Sequence, residues 1–352
     1  MASSQEQIVS RYHELMQVNA VSHLLRTARQ IGALDRLRQG QHTVEQLSEH
    51  LSLQIQPTRL LMDALVAVGI VEQYGDDYAL SQAAQLLCQY DQDFGDAVWS
   101  ELAGSLSSTA SSGRESSERF FDQQSATQWV HTPAAIQAAE ILDLGSDELQ
   151  GCHILDLGCG SAVWSCAMGH RDPSAKVTMV DHAGAIEAAK STAASIDMLD
   201  RVETIAGDFL TTEIPANAFD LVLVAQRVGG LSDDEAVSLV RRAAEAATPG
   251  GRVVLIDLFR APASKAKDSE TASQSSDSVD QDPVDQDPGA YAKPTLAESI
   301  EALKIHLGTD GGRLRTLGQA QQLLIDAGLA QVQFAYLSAS RLNLGIAVGV
   351  KA

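Results

Sequence analysis

The sequence predicts an α/β chain in which a doubly wound, mostly parallel sheet follows an amino-terminal α-helical winged-helix domain. Three observations predict it. From His153 onward, strand-like apolar runs alternate with helix-like segments, the pattern of a parallel sheet wrapped by helices. Within that alternation, HILDLGCGSAVW (residues 153–164) turns from an apolar run into an alanine-containing helical segment through two glycines. Upstream, residues 43–80 read helix, helix, hairpin. The expected domains are 1–145 and 146–352.

Ile8, Tyr12, Leu15, Met16, Val21, Leu24, Leu25, Ala28 and Ile31 recur at three- and four-residue spacing, so residues 6–39 are read as helix, with an apolar surface suited to a core or to a partner subunit. Thr43 and Gln46 have the spacing of a capping box, Pro57 opens the next helix, and Gly69 stops it. IVEQYGDDYALS is then a hairpin around Gly75. Such an arrangement can read DNA. Here the second helix offers only Arg59 as a cation, and the wing carries Asp76 and Asp77. Residues 82–145 are read as mostly helical, broken by a polar loop at SLSSTASSGRESSERFF. Trp99, Phe120, Phe121 and Trp129 around that loop suit a core or the wall of an apolar substrate pocket.

The strands expected in the second domain are ILDLG, KVTMVD, RVETIAGDF, FDLVLVAQ and GRVVLIDL, with GLAQVQFAYLS and LNLGIAVGVK as an antiparallel edge. Residues 261–290 carry seven acids against two lysines and almost no large apolar side chain, and are expected to be a disordered surface insertion. The glycine and terminal glutamate of an EF-hand are missing there, so no metal is expected.

The net charge of −21 repels phosphate backbones, and no apolar run has the length of a membrane span, so neither a nucleic-acid nor a membrane partner is expected. The amino terminus lacks the pattern of a signal or transit peptide. Cys152, Cys159 and Cys166 cluster near the glycine turn without a CxxC pair, which fits a reduced, cytoplasmic setting better than a disulfide framework.

Candidate binding residues follow from the strand ends. Asp156, Gly158, Cys159 and Gly160 form the glycine turn, which lacks the third glycine of a dinucleotide fingerprint. Asp181, followed by His182, closes the next strand, where a carboxylate can accept both hydroxyls of a ribose. Asp208 closes the third, where it can accept from an adenine amino group while Phe209 covers the ring. Each acid alone also serves as a cap or turn residue. In this order they outline an adenosine-shaped site.

With Asp156, Gly158 and Gly160 matching D-x-G-x-G, the sequence resembles class I S-adenosylmethionine-dependent methyltransferases. The winged-helix region, the PGG turn at Pro249–Gly251 and the run Gly311–Thr316 look like the plant and bacterial small-molecule O-methyltransferases. The resemblance implies a Rossmann-like catalytic domain, S-adenosylmethionine as cofactor with S-adenosylhomocysteine as product, a homodimer through the amino-terminal domain, and a small aromatic or polyketide-like acceptor. It also implies a histidine base after the fourth strand, where this chain reads VGGLSDDE with Gly229 and Gly230. Substitute bases are sought in Asp233, Asp257 and His131. Without a base, the expected chemistry is methyl transfer by proximity, or a non-methylating reaction such as hydroxylation or decarboxylation, and the glycines could open room for a bulky substrate. Arg227 and Arg313 are each read as a structural ion pair or as the partner of a substrate carboxylate. The non-enzymatic alternative is a winged-helix regulator.

Overall fold

A computed structural model of the chain describes residues 4–90, 95–107, 113–147, 149–260, 295–340, 342 and 344–352. The insertion expected at 261–290 lies outside the described residues. The chain divides into two compact units, residues 1–97 and 98–352.

The first unit begins with helices α1 (Ser4–Gln30) and α2 (Ala33–Arg38). Strand β1 (His42–Thr43) leads into α3 (Val44–Leu51), whose amino terminus is closed by the expected capping box: Thr43 Oγ1 accepts from Gln46 N while the Gln46 side chain accepts from Thr43 N. Helix α4 (Ile55–Val68) ends on Gly69, whose φ of 79° is the left-handed conformation that glycine adopts at low cost. The hairpin β2 (Val71–Tyr74) and β3 (Asp77–Leu80) follows, and β1 pairs with β3 to complete a three-stranded antiparallel sheet. Leu34, Leu47, Met62, Leu65 and Tyr78 fill the core of this winged-helix arrangement. Arg59, the single cation of α4, pairs with Glu45 at 2.8 Å. Helix α5 (Gln82–Tyr90) completes the unit, and α6 (Asp96–Ser100) starts at its end.

In the second unit α7 (Leu102–Ser107) and α8 (Gly113–Thr127) replace much of the loop expected at 105–121. Beyond Gly113 that stretch has no glycine or proline to interrupt a helix, and Phe120 and Phe121 anchor it on the sheet domain's core. A 3-10 turn at Gln128–His131 joins it to α9 (Thr132–Ile141), whose Ala134, Ala135, Ala138 and Ala139 pack into the main core. Residues 98–145, assigned by sequence to the first domain, therefore cluster with the second unit.

There β4 (His153–Leu157), α10 (Val163–Arg171), β5 (Lys176–Asp181), α11 (Ala183–Ser195), β6 (Val202–Ala206), β7 (Phe219–Ala225), α12 (Asp233–Ala246) and β8 (Ala247–Arg260) alternate. Helix α13 (Leu296–Gly308), β9 (Arg315–Thr316), α14 (Leu317–Asp326), β10 (Leu329–Tyr336) and β11 (Leu344–Lys351) close the chain. The strand order is β10-β11-β8-β7-β4-β5-β6, parallel from β8 to β6 and antiparallel at the expected β10–β11 edge. Chain direction across the sheet reverses between β4 and β7, and in open α/β sheets ligands bind outside the carboxyl ends of the strands at such a switch point. The turns after β4 and β7 flank that point. No helix among the described residues is long and apolar enough to cross a membrane.

Candidate functional site

The turn after β4 can form because Gly158 (φ 76°) and Gly160 (φ 57°) adopt left-handed backbone. Gly158 N and Cys159 N donate to Val180 O, tying the turn to β5. The Cys159 thiol is buried and pushed well above its ordinary range by loss of solvent, so it contributes shape and no nucleophile. Asp156 is 1% exposed, and burial raises its carboxyl to about 7, opposed by the Ser165 hydroxyl donating to Oδ2. Its Oδ1 is buried without a hydrogen-bond partner. An unanswered acceptor beneath a glycine turn is a place where a cationic or N–H-bearing ligand recovers the cost of burial.

Asp181, at the end of β5, takes Gly160 N at 2.9 Å on Oδ2 and His182 N at 2.8 Å on Oδ1. His182 caps α11, its Nδ1 accepting from Ala185 N, and its Nε2 lies 2.9 Å from Asp122 of α8 at the rim. Asp208 lies two residues past the end of β6, and its carboxylate accepts from Leu210 N at 2.9 Å, the cap of the following turn. Phe209 is buried, edge-on to Phe121 with ring centroids 5.9 Å apart.

Sequence reasoning did not place Arg227 in this constellation. It follows β7, is 1% exposed, and reaches across the switch point: Nε donates to Gly158 O at 2.6 Å and Nη2 to Asp181 Oδ2 at 3.1 Å. Its guanidinium lies 4.8 Å from the Phe121 ring centroid and 5.7 Å from that of Phe209. Arg227 thus forms a buried ion pair, and Arg313 pairs with Asp233 at 3.0 Å, the structural alternative for both residues.

The second turn, Val228–Gly230, lies beneath the same aromatic cluster. Asp257 on β8 accepts from Gly229 N at 2.7 Å and from Leu258 N at 2.8 Å, one donor per carboxylate oxygen. Buried Arg315 donates to the carbonyls of Val228 and Leu231, and Arg313 N donates to Gly229 O, so the Gly311–Thr316 run straps the turn in place. A Cβ on Gly230 would stand 2.7 Å from the Phe121 ring. The space expected for a bulky substrate at Gly230 is therefore taken by α8, a correction that follows from the helix replacing the expected loop.

The three candidate bases are dispersed. Asp257 alone touches the glycine pair, and burial raises its carboxyl. Asp233 starts α12, where hydrogen bonds from Arg313 hold its carboxyl below the usual range. His131 stacks on Trp164 with ring centroids 6.1 Å apart, and burial lowers it to about 4, leaving a neutral ring. Among the described residues no acid, histidine and cysteine cluster could hold a metal.

A family profile described as "O-methyltransferase domain" matches residues 79–280, more than half of the chain. The chain belongs to this O-methyltransferase family. Its cofactor is S-adenosylmethionine, and the unanswered Asp156 oxygen on the strand that feeds the two-glycine turn suits that ligand. Phenazine-1-carboxylate N-methyltransferase of Pseudomonas aeruginosa is 26% identical over 257 residues, covering 67% of this chain and 75% of that protein. Aclacinomycin 10-hydroxylase of Streptomyces purpurascens is 34% identical over 105 residues, which span 30% of this chain and only 28% of the hydroxylase. Among solved structures, human N-acetylserotonin methyltransferase in complex with SAM has a TM-score of 0.69 at 18% identity, each chain covered over 100% of its length, a likeness of fold.

Proposed function

We propose that the chain transfers the methyl group of S-adenosylmethionine to a small aromatic or polyketide-like metabolite, with Asp156, Gly158, Cys159, Gly160, Asp181, His182, Asp208 and Phe209 forming the cofactor site. The observation that carries this reading is the meeting of the glycine turn, Asp181 and Phe209 around one guanidinium at the switch point. When bound, the sulfonium supplies an activated methyl group. The protein's share is to orient the acceptor and exclude water, a role that α8 serves by laying Phe120 and Phe121 over Gly230. With glycine at 229 and 230, transfer proceeds mainly by proximity, to an acceptor acidic or nucleophilic enough to need no histidine.

The same missing base, together with the partial match to a hydroxylase, favours a second reading in which the cofactor is held and no methyl group moves. Incubation with methyl-labelled S-adenosylmethionine and a panel of phenols separates the two. The expected outcome is labelled product with stoichiometric S-adenosylhomocysteine. Substrate turnover without S-adenosylhomocysteine would sink methyl transfer and support the second reading.

The apolar face of α1, where Ile8, Val9, Tyr12, Leu15, Met16 and Val18 are all exposed, supports a homodimer formed through the amino-terminal domain. Sedimentation of the full chain should give twice the 37.4 kDa protomer mass, and a monomer at micromolar concentration rules the dimer out. Four free cysteines suit a cytoplasmic setting, and the Arg59–Glu45 pair gives the winged-helix region no free cation on α4 for a nucleic acid.

A further inference from the structure

The groups that a nucleoside would meet in this cradle are already engaged by a side chain of the protein itself. A ribose needs the Asp181 carboxylate, an adenine needs an aromatic face, and the methionine moiety needs the uncovered backbone of the glycine turn. Arg227 meets all three: Nη2 on Asp181, the guanidinium near the Phe209 ring, and Nε on Gly158 O. The glycines measure how closely it fits. A Cβ at Gly158 would stand 2.7 Å from Arg227 Nε, and one at Gly160 would stand 3.0 Å from Nη2. The guanidinium is in contact with the very surface that the glycines leave bare, with no layer left for a second molecule between them.

We propose that Arg227 is an internal occupant of the S-adenosylmethionine cradle, a plug that the cofactor must displace, so that cofactor affinity is set by the balance between plugged and open states. The inference rests on the reading of this cradle as the cofactor site. A buried ion pair suits such a role, because desolvation cancels much of its Coulombic gain and leaves a contact that a ligand can outcompete. Helix α8 belongs to the same device. Gln124 Oε1 and Ser125 Oγ each accept from the guanidinium at 3.4 Å, and Phe121 lies against its face. Two further ties fasten α8 and the turn that follows it to the cradle: Asp122 to His182, and Gln128 Oε1 accepting from Ser161 Oγ and Val163 N. Withdrawal of Arg227 removes three of the contacts that hold α8 closed, which couples opening of the cradle to release of this helix.

The test is calorimetric titration of S-adenosylhomocysteine into the full chain and its variants. A plug that closes the site about nine-tenths of the time weakens apparent affinity about tenfold. Arg227→Met, which keeps an apolar stem and removes the guanidinium, should therefore tighten S-adenosylhomocysteine binding by about that factor. Ser125→Ala, which removes one of the guanidinium's partners on α8, should shift affinity in the same direction by less, and it carries the test if Arg227→Met fails to fold. Equal or weaker binding by the folded variants, with the native chain binding normally, overturns the plug and leaves the cofactor reading standing. Absence of binding by the native chain and every variant overturns the cofactor reading and the plug with it. Binding by Arg227→Met alone is the strongest support.

Discussion

The two glycine turns at the switch point look alike in sequence and differ in what fills the space beside them. Next to Gly158 and Gly160 stand Arg227 and Ser125, a long side chain with four rotatable bonds and a small hydroxyl. Next to Gly230 stand Phe121 and Phe120, while Gly229 faces the Asp257 carboxylate. The first filling is one flexible side chain, whereas the second is a pair of rings that moves only if α8 itself moves, laid over a backbone that Asp257 and Arg315 fix from both sides. On the proposed reading the first turn is shaped for exchange of a ligand, and the second keeps its filling for as long as α8 stays in place. The missing histidine belongs to that second filling: the position is built into the packing of α8.

The largest effect is expected where a side chain is forced into the second filling. Gly230→His, which would restore an imidazole beside the site, meets the Phe121 ring at 2.7 Å from its Cβ onward and should destabilise the chain by about 3 kcal/mol, the upper range for overpacking. Gly229→Ala is its counterpart. Its backbone is not left-handed and its Cβ would lie 3.3 Å from the nearest Asp257 oxygen, so the carboxylate must yield by a few tenths of an ångström and the cost should be about 1 kcal/mol, the lower range for overpacking. Urea unfolding of both variants checks the contrast. Equal midpoints for Gly230→His and the native chain would mean that the rings yield and that both turns are open.

The difference between the turns also marks how far the sequence could be read. Alternating apolar and helical segments were enough for the sheet, its antiparallel edge and the winged-helix arrangement, because each rests on local periodicity and local caps such as Thr43–Gln46. The glycine turn and Asp181 were legible for the same reason, each sitting at the end of its own strand. Arg227 was not. Its partner Asp181 is 46 residues away in the chain, and only the strand order brings the ends of β7 and β5 to the two sides of β4. The start of α8 was missed because its serine-rich composition resembles a loop, whereas packing of Phe120 and Phe121 decides its conformation. Asp208 shows the opposite limit, since an acid at a strand end reads the same whether it faces a ligand or caps a turn, as its bond from Leu210 N does here.

The buried acids extend the comparison to pH. Asp257 has a backbone N–H on each oxygen, while Asp156 has one oxygen answered by Ser165 and one unanswered. Both carboxyls are raised by burial, Asp156 from 3.8 to about 7. A raised carboxyl means that the folded state binds the proton more tightly than the unfolded state, so stability falls as pH rises above the unfolded value and the fall ends near the folded one. For Asp156 that window runs from about pH 4 to about pH 7. Between pH 5 and 7 the loss should be about 2 kcal/mol. Asp156→Asn removes the titrating group and keeps its shape, so its stability should vary less over this range, with Asp257 left to contribute a residual slope of the same sign. A series of urea midpoints between pH 5 and 7 measures both slopes. If the native chain is no less stable at pH 7 than at pH 5, Asp156 is already compensated in the folded protein, and the first turn is no more open to a ligand than the second.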